Sequence, residues 1–285
     1  MTVNHYIGAE EHVIGDAMTD YHRYIPYPYV DFSLIGDAAK SRLENYYTYC
    51  TKFAATGYIP KSVLSSKCGL WITSEDNTLT EDLSYHAYYA FDYGTLTSTR
   101  VEELYSILGT TEPAKMADLR AEKIDFGFEG VSVAPDGTVA KYVTLFRPQS
   151  NILDFFDYPE IDALKEFVAE SFSQWDEALQ APDSFRAPIR IQFDSVDDTT
   201  SIEIASPFFK KELYMNSGVD GYLMRKELYF DQMLKHGLLD SDQVAYCKTH
   251  SPVSQQFSIK FKYRNGELLN KKLYTFVVSE FENVT

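Results

Sequence analysis

Two hydrophobic periods divide the chain. From Asp37 to Ala55, Leu43, Tyr46, Cys50 and Phe53 recur at helical spacing, and Gly57 and Pro60 follow. This predicts an amphipathic helix with Asp37 as its cap. A period of two then predicts a hairpin, Gly69–Thr73 turning through Ser74–Asn77 to Leu83–Phe91. A short helix is expected over about 99–108, with Val101, Leu104 and Leu108 together and Gly109 ending it. A second hairpin pairs Ile124–Val133 with Thr138–Phe146 across Ala134-Pro-Asp-Gly137. Proline presets φ there and glycine accepts positive φ.

Pro159 sits where a helical first turn tolerates proline, and Ile161, Leu164, Val168, Phe172, Trp175 and Leu179 recur on one face behind it. The third hairpin runs Pro188–Asp194, turns at Asp197-Asp198 and returns as Thr200–Ala205. Residues 209–248 read as mostly helical, with breaks near Gly218 and Gly237. The fourth hairpin, Gln256–Arg264 and Lys272–Val278, turns at Asn265-Gly266, a strong hairpin signal. The first 36 residues show neither period, and the aromatic-proline stretch Tyr24–Tyr29 reads as irregular extended chain.

Hairpins alternating with helices predict an α+β fold. Its natural closure is an antiparallel β-barrel of hairpins with helices packed outside, one domain over residues 1–285. Several strands are apolar or aromatic on both faces, as in Tyr85, Ala87 and Tyr89 against His86 and Tyr88. One face then meets helices and the other lines an interior.

Composition sharpens this picture. Twenty-two Tyr, 19 Phe and 2 Trp suit a cavity that is apolar in body with hydroxyl tips. A net charge of −16 disfavours nucleic acid and anionic lipid as partners. No run of about 18 apolar residues is present, and the polar N-terminus lacks the pattern of a secretory signal. Three scattered cysteines, Cys50, Cys68 and Cys247, form no CxxC pair and fit a reducing, cytoplasmic setting. The six histidines show no metal-binding spacing, and no GxSxG, Walker or GxGxxG signature occurs. Asp194, Asp197 and Asp198 read as turn residues rather than metal ligands.

Four segments carry a family resemblance. These are Cys68–Thr73 with Ser84–Asp92, Gly137–Pro148, Phe193–Ser195 with Thr200–Ile204, and Phe257–Glu267. The layout resembles the aromatic prenyltransferases of the ABBA type, a ten-stranded antiparallel barrel wrapped by helices. Among them it resembles the cyanobactin-type peptide prenyltransferases. The sequence shows four hairpins where that family has five, and Trp71 stands where the family carries a glutamate base.

The resemblance implies transfer of an allylic group from a prenyl diphosphate to an electron-rich ring, in a peptide, indole or phenol, with Mg²⁺ as a further expected participant. Lysine and arginine would hold the diphosphate while aromatic rings shield the cation from water. Lys260 and Lys262 are two apart and share a strand face, Lys141 interrupts the apolar run Val139–Phe146, and Arg190 alternates with Ile189 and Ile191. These four are the expected diphosphate ligands. Trp71, Tyr85, His86, Tyr89, Tyr142 and Tyr274 are the expected pocket, and Glu203 or Glu129 the expected base. Two other readings stand beside this one: a non-catalytic barrel for an apolar or aromatic molecule, and an acidic protein-interaction module whose strand lysines face solvent.

Overall fold

Asn265 and Gly266 both adopt positive φ, 52° and 82°, as a two-residue hairpin turn requires. They reverse the chain between β9 (Gln256–Arg264) and β10 (Glu267–Val278), the longest pair among the described strands. The computed structural model describes residues 7–16, 19–26, 37–55, 69–75, 85–89, 102, 105–121, 129–133, 136–146, 151–179, 189–205, 226–251 and 256–278. They form a mixed helical and antiparallel-sheet fold. The other strands are β1 (Ile7–Val13), β2 (Thr19–Pro26), β3 (Gly69–Glu75), β4 (Tyr85–Tyr89), β5 (Glu129–Val133), β6 (Val139–Phe146), β7 (Ile189–Asp194) and β8 (Thr199–Ala205). The helices are α1 (Asp37–Ala55), α2 (Ala114–Ala121), α3 (Ile161–Leu179), α4 (226–235) and α5 (Ser241–His250), with a 3-10 turn at Ile152–Phe155.

Each strand pairs antiparallel with its neighbours in the order β1-β10-β9-β8-β7-β6-β5-β4-β3-β2, and β1 also pairs with β2. Strict alternation fixes the faces. Ile189, Ile191 and Phe193 of β7, Ile202 and Ile204 of β8, and Phe257, Ile259, Phe261 and Tyr263 of β9 are buried in one core. From the helices that core takes Ile161, Leu164, Phe167 and Val168 of α3, Tyr229, Phe230 and Met233 of α4, and Val244 and Cys247 of α5. Phe167 and Phe257 both meet Tyr229 edge-on, with ring centroids 5.4 and 5.0 Å away. Such contacts hold helix to sheet beyond simple area burial.

Local chemistry sets the element ends. Asp240 and Gln243 form a reciprocal capping box at the start of α5. Gly237, at φ 69°, breaks the helical run between α4 and α5. Asp194 Oδ1 accepts from the amides of Val196 and Asp197, at 3.1 and 3.0 Å, and Asp198 turns at φ 48°. Asp194 therefore satisfies backbone donors of the turn, while the carboxylates of Asp197 and Asp198 lie 3.6 and 3.8 Å from the ammonium groups of Lys262 and Lys115. Within the segment expected to be helical over 99–108, residues 105–108 are helical and Gly109 ends them at φ 65°. The expected strand at 124–128, the break near Gly218 and the side chains of Cys50, Cys68, Phe172 and Trp175 lie outside the described residues.

Two expectations need correction. Within the N-terminal stretch expected to be irregular, residues 7–13 and 19–26 are strands: β1 and β2 form a fifth hairpin, turning through Gly15 at φ 90°. The pattern hides it because Glu10, Glu11 and His12 stand in a row in β1, so neither strand face reads as apolar. α2 had no counterpart in the pattern either, since its residues carry little amphipathic signal.

Candidate functional site

The polar face of the sheet carries a row of charges in cross-strand register. Arg190 of β7 pairs with Glu203 of β8, which pairs with Lys260 of β9, which pairs with Lys272 of β10. Cross-strand partners point to the same face, opposite the helix-packed core. Arg190 Nη1 lies 2.8 and 3.0 Å from the two Glu203 oxygens, and Ser258 Oγ donates to Oε1 at 2.6 Å. Glu203 is buried, so this set of donors replaces its lost hydration.

Lys260 and Lys272 face each other as like charges, an unfavourable pairing by itself. Glu11 of β1 resolves it. Its Oε1 lies 3.1 Å from both ammonium nitrogens. The Lys260 and Glu11 side chains are only 10% and 9% exposed and that of Lys272 17%, so water screens the trio weakly. Lys260 Nζ also lies 5.4 Å from the Tyr274 ring centroid, which favours the ammonium electrostatically. Lys262, next along the same face, reaches Asp197 at 3.6 Å. The lysine-rich turn side thus splits by alternation: Lys272 joins the row, while Lys271 turns to the other face and donates to Gln243 at 3.3 Å. Burial lowers the Lys271 pKa.

The expected site residues divide accordingly. Arg190, Glu203, Lys260, Lys262 and Tyr274 share the charged face. For Trp71, Tyr85, His86, Tyr89, Glu129, Lys141 and Tyr142 the backbone register is described. Position 141 pairs with Asp194, and positions 71 and 86 pair with each other and through 132 to 141, which puts all three in the same alternation as Arg190. Positions 85, 89, 129 and 142 fall in the opposite alternation: 85 pairs with Val133, 89 with 129, 129 with Thr144, and 142 with Phe193 of the helix-packed core. In backbone register, positions 85, 89, 129 and 142 thus alternate with the row that carries Arg190, Lys260 and Lys262. Period-two patterns yield two faces without saying which one faces the helices.

Two residues that the pattern did not single out belong to the row. Lys272 stands beside Lys271 near the turn and interrupts no apolar run. Glu11 lay in the stretch expected to be irregular; the signal that finds it is Gly15, the turn glycine between two β-compatible runs. β1 and β2, seven and eight residues long, flank that turn, and Glu11 sits on the first of them.

Among the described residues no group of three or more His, Cys, Asp or Glu side chains is placed to hold a metal ion, and no helix is long and apolar enough to cross a membrane. No known family profile matches the chain, and a search of curated proteins finds no match.

Proposed function

We propose that the chain is an aromatic prenyltransferase built as a helix-wrapped barrel, with the charged sheet face as its lumen. The observation that carries the reading is the row of buried Lys260 and half-buried Lys272 and Lys262 beside Tyr274. An acidic protein concentrates ammonium groups on one interior face where an anion is to be held, since burying them otherwise only adds cost. A ladder order that returns to its first strand, and five hairpins in place of four, support the barrel.

On this reading Lys260, Lys262 and Lys272 hold the diphosphate, and Lys141 extends the row. The allylic C–O bond breaks and its electron pair leaves on the diphosphate, whose growing charge the ammonium groups stabilise. The aromatic acceptor attacks the allylic cation, a C–C bond forms, and the ring proton passes to a carboxylate. Tyr274 and the aromatic positions 71 and 86 shield the cation. Glu203 is the proton acceptor, and Arg190, rather than binding diphosphate, fixes its two oxygens.

One observation favours a rival, a barrel binding a neutral aromatic molecule. Lys260 and Lys272 have Glu11, Arg190 has Glu203 and Lys262 has Asp197, so the row is internally neutralised in large part. Isothermal titration with dimethylallyl and geranyl thiodiphosphates separates the two. Saturable binding that weakens at least tenfold in Lys260→Ala and Lys141→Ala is the expected result. No binding at millimolar ligand transfers the assignment to the neutral-ligand barrel.

A further inference from the structure

We propose that Glu11 is the built-in occupant of the anion subsite, which a phosphate-bearing ligand must displace. The inference rests on the diphosphate reading above and deepens it. One carboxylate oxygen sits 3.1 Å from each of two ammonium nitrogens, the distance and place a bridging phosphate oxygen would take. Lys260 and Lys272 are opposed in register and mostly buried, so the ligand-free fold needs an anion between them. Glu11 reaches them from β1, a different strand, across β10. The same two lysines thus serve stability without ligand and recognition with it, and Glu11 sets the balance.

A carboxylate that only positioned the lysines would strengthen anion binding; one that occupies their site weakens it. Glu11→Gln keeps the shape and removes the charge. Titration of the full chain with inorganic pyrophosphate at fixed ionic strength is expected to show Glu11→Gln binding at least tenfold tighter than the unsubstituted protein. Its melting temperature is expected to be lower without ligand and to rise more with it. Lys272→Gln, which leaves Lys260 neutralised by Glu11, is expected to lose binding. Should Glu11→Gln not fold, Glu11→Asp withdraws the carboxylate by one methylene and is expected to bind pyrophosphate tighter than the unsubstituted protein.

Glu11→Gln, or Glu11→Asp in its place, binding pyrophosphate no tighter than the unsubstituted chain overturns the proposal. The prenyl reading is tested separately by geranyl thiodiphosphate on the same proteins. If Glu11→Gln gains affinity for pyrophosphate but the geranyl group adds none, the subsite stands and the prenyl reading falls. If the unsubstituted chain prefers the geranyl ligand and Glu11→Gln gains nothing, the reverse holds.

Discussion

At the scale of single residues, charge and burial are closely matched. Glu203 is nearly inaccessible, yet the paired oxygens of its carboxylate meet Arg190 and Ser258. Cys247 illustrates the opposite case, a titratable group buried without an ionic role. It is fully buried in the core between α5 and the sheet, and burial pushes its thiol pKa up to about 12. Burial also raises Tyr229 and Tyr263. The sign follows from linkage. Below pH 9, the ordinary thiol value, both states hold the proton and stability is complete. Between pH 9 and about 12 only the unfolded chain ionises, so stability falls as pH rises, at no more than roughly 1.4 kcal/mol per pH unit for one group. Urea denaturation at pH 8, 9 and 10 is expected to show a midpoint that falls with pH, and falls less in Cys247→Ala. Equal slopes would mean that the thiol ionises without unfolding.

Elements are joined at turns, and two turn glycines with the same backbone sign have different surroundings. Gly266 at φ 82° has open space around it, and a Cβ there meets nothing within 4 Å. Gly137 at φ 86° lies against the start of α1, where a Cβ would stand 2.9 Å from the Ala38 Cβ and 3.1 Å from its carbonyl carbon. Gly266→Ala is expected to cost about 1 kcal/mol, the strain of a left-handed residue. Gly137→Ala carries the same strain and must also push α1 off the hairpin, for a total of roughly 3 kcal/mol. Chemical denaturation of both variants checks the order; equal losses would show that α1 yields freely. The turn at 137 was legible from Pro-Asp-Gly in the sequence, but the helix it touches lies about a hundred residues earlier and carries no local mark of that contact.

For the whole molecule, β1 is the strand on which most depends. It pairs with β10 through seven register positions and with β2 through six, and it brings Glu11 to the lysines. Removing residues 1–16 would leave β2 and β10 with unpaired edges and two buried ammonium groups without their carboxylate. Exposed edges invite intermolecular pairing. Size-exclusion chromatography of that truncated chain is expected to show larger oligomers or aggregate than the full chain, and adding a β1 peptide is expected to restore the full chain's elution volume. Unchanged elution volume and thermal stability would show that β1 is dispensable.

The sequence by itself determined the elements whose causes are local: α1, α3, the hairpins β5-β6, β7-β8 and β9-β10, and their turns, because period, capping and positive-φ chemistry act within a few residues. It also determined that Arg190, Lys260 and Lys262 interrupt apolar strands, which singled them out. Only the tertiary structure decided which strand face meets the helices, and so put position 142 in the alternation of the helix-packed core and position 141 in that of Arg190. It alone brought Glu11 to lysines some 250 residues away. Parity and long-range charge pairing depend on which strands become neighbours, and that is fixed when the hydrophobic faces of sheet and helices find each other.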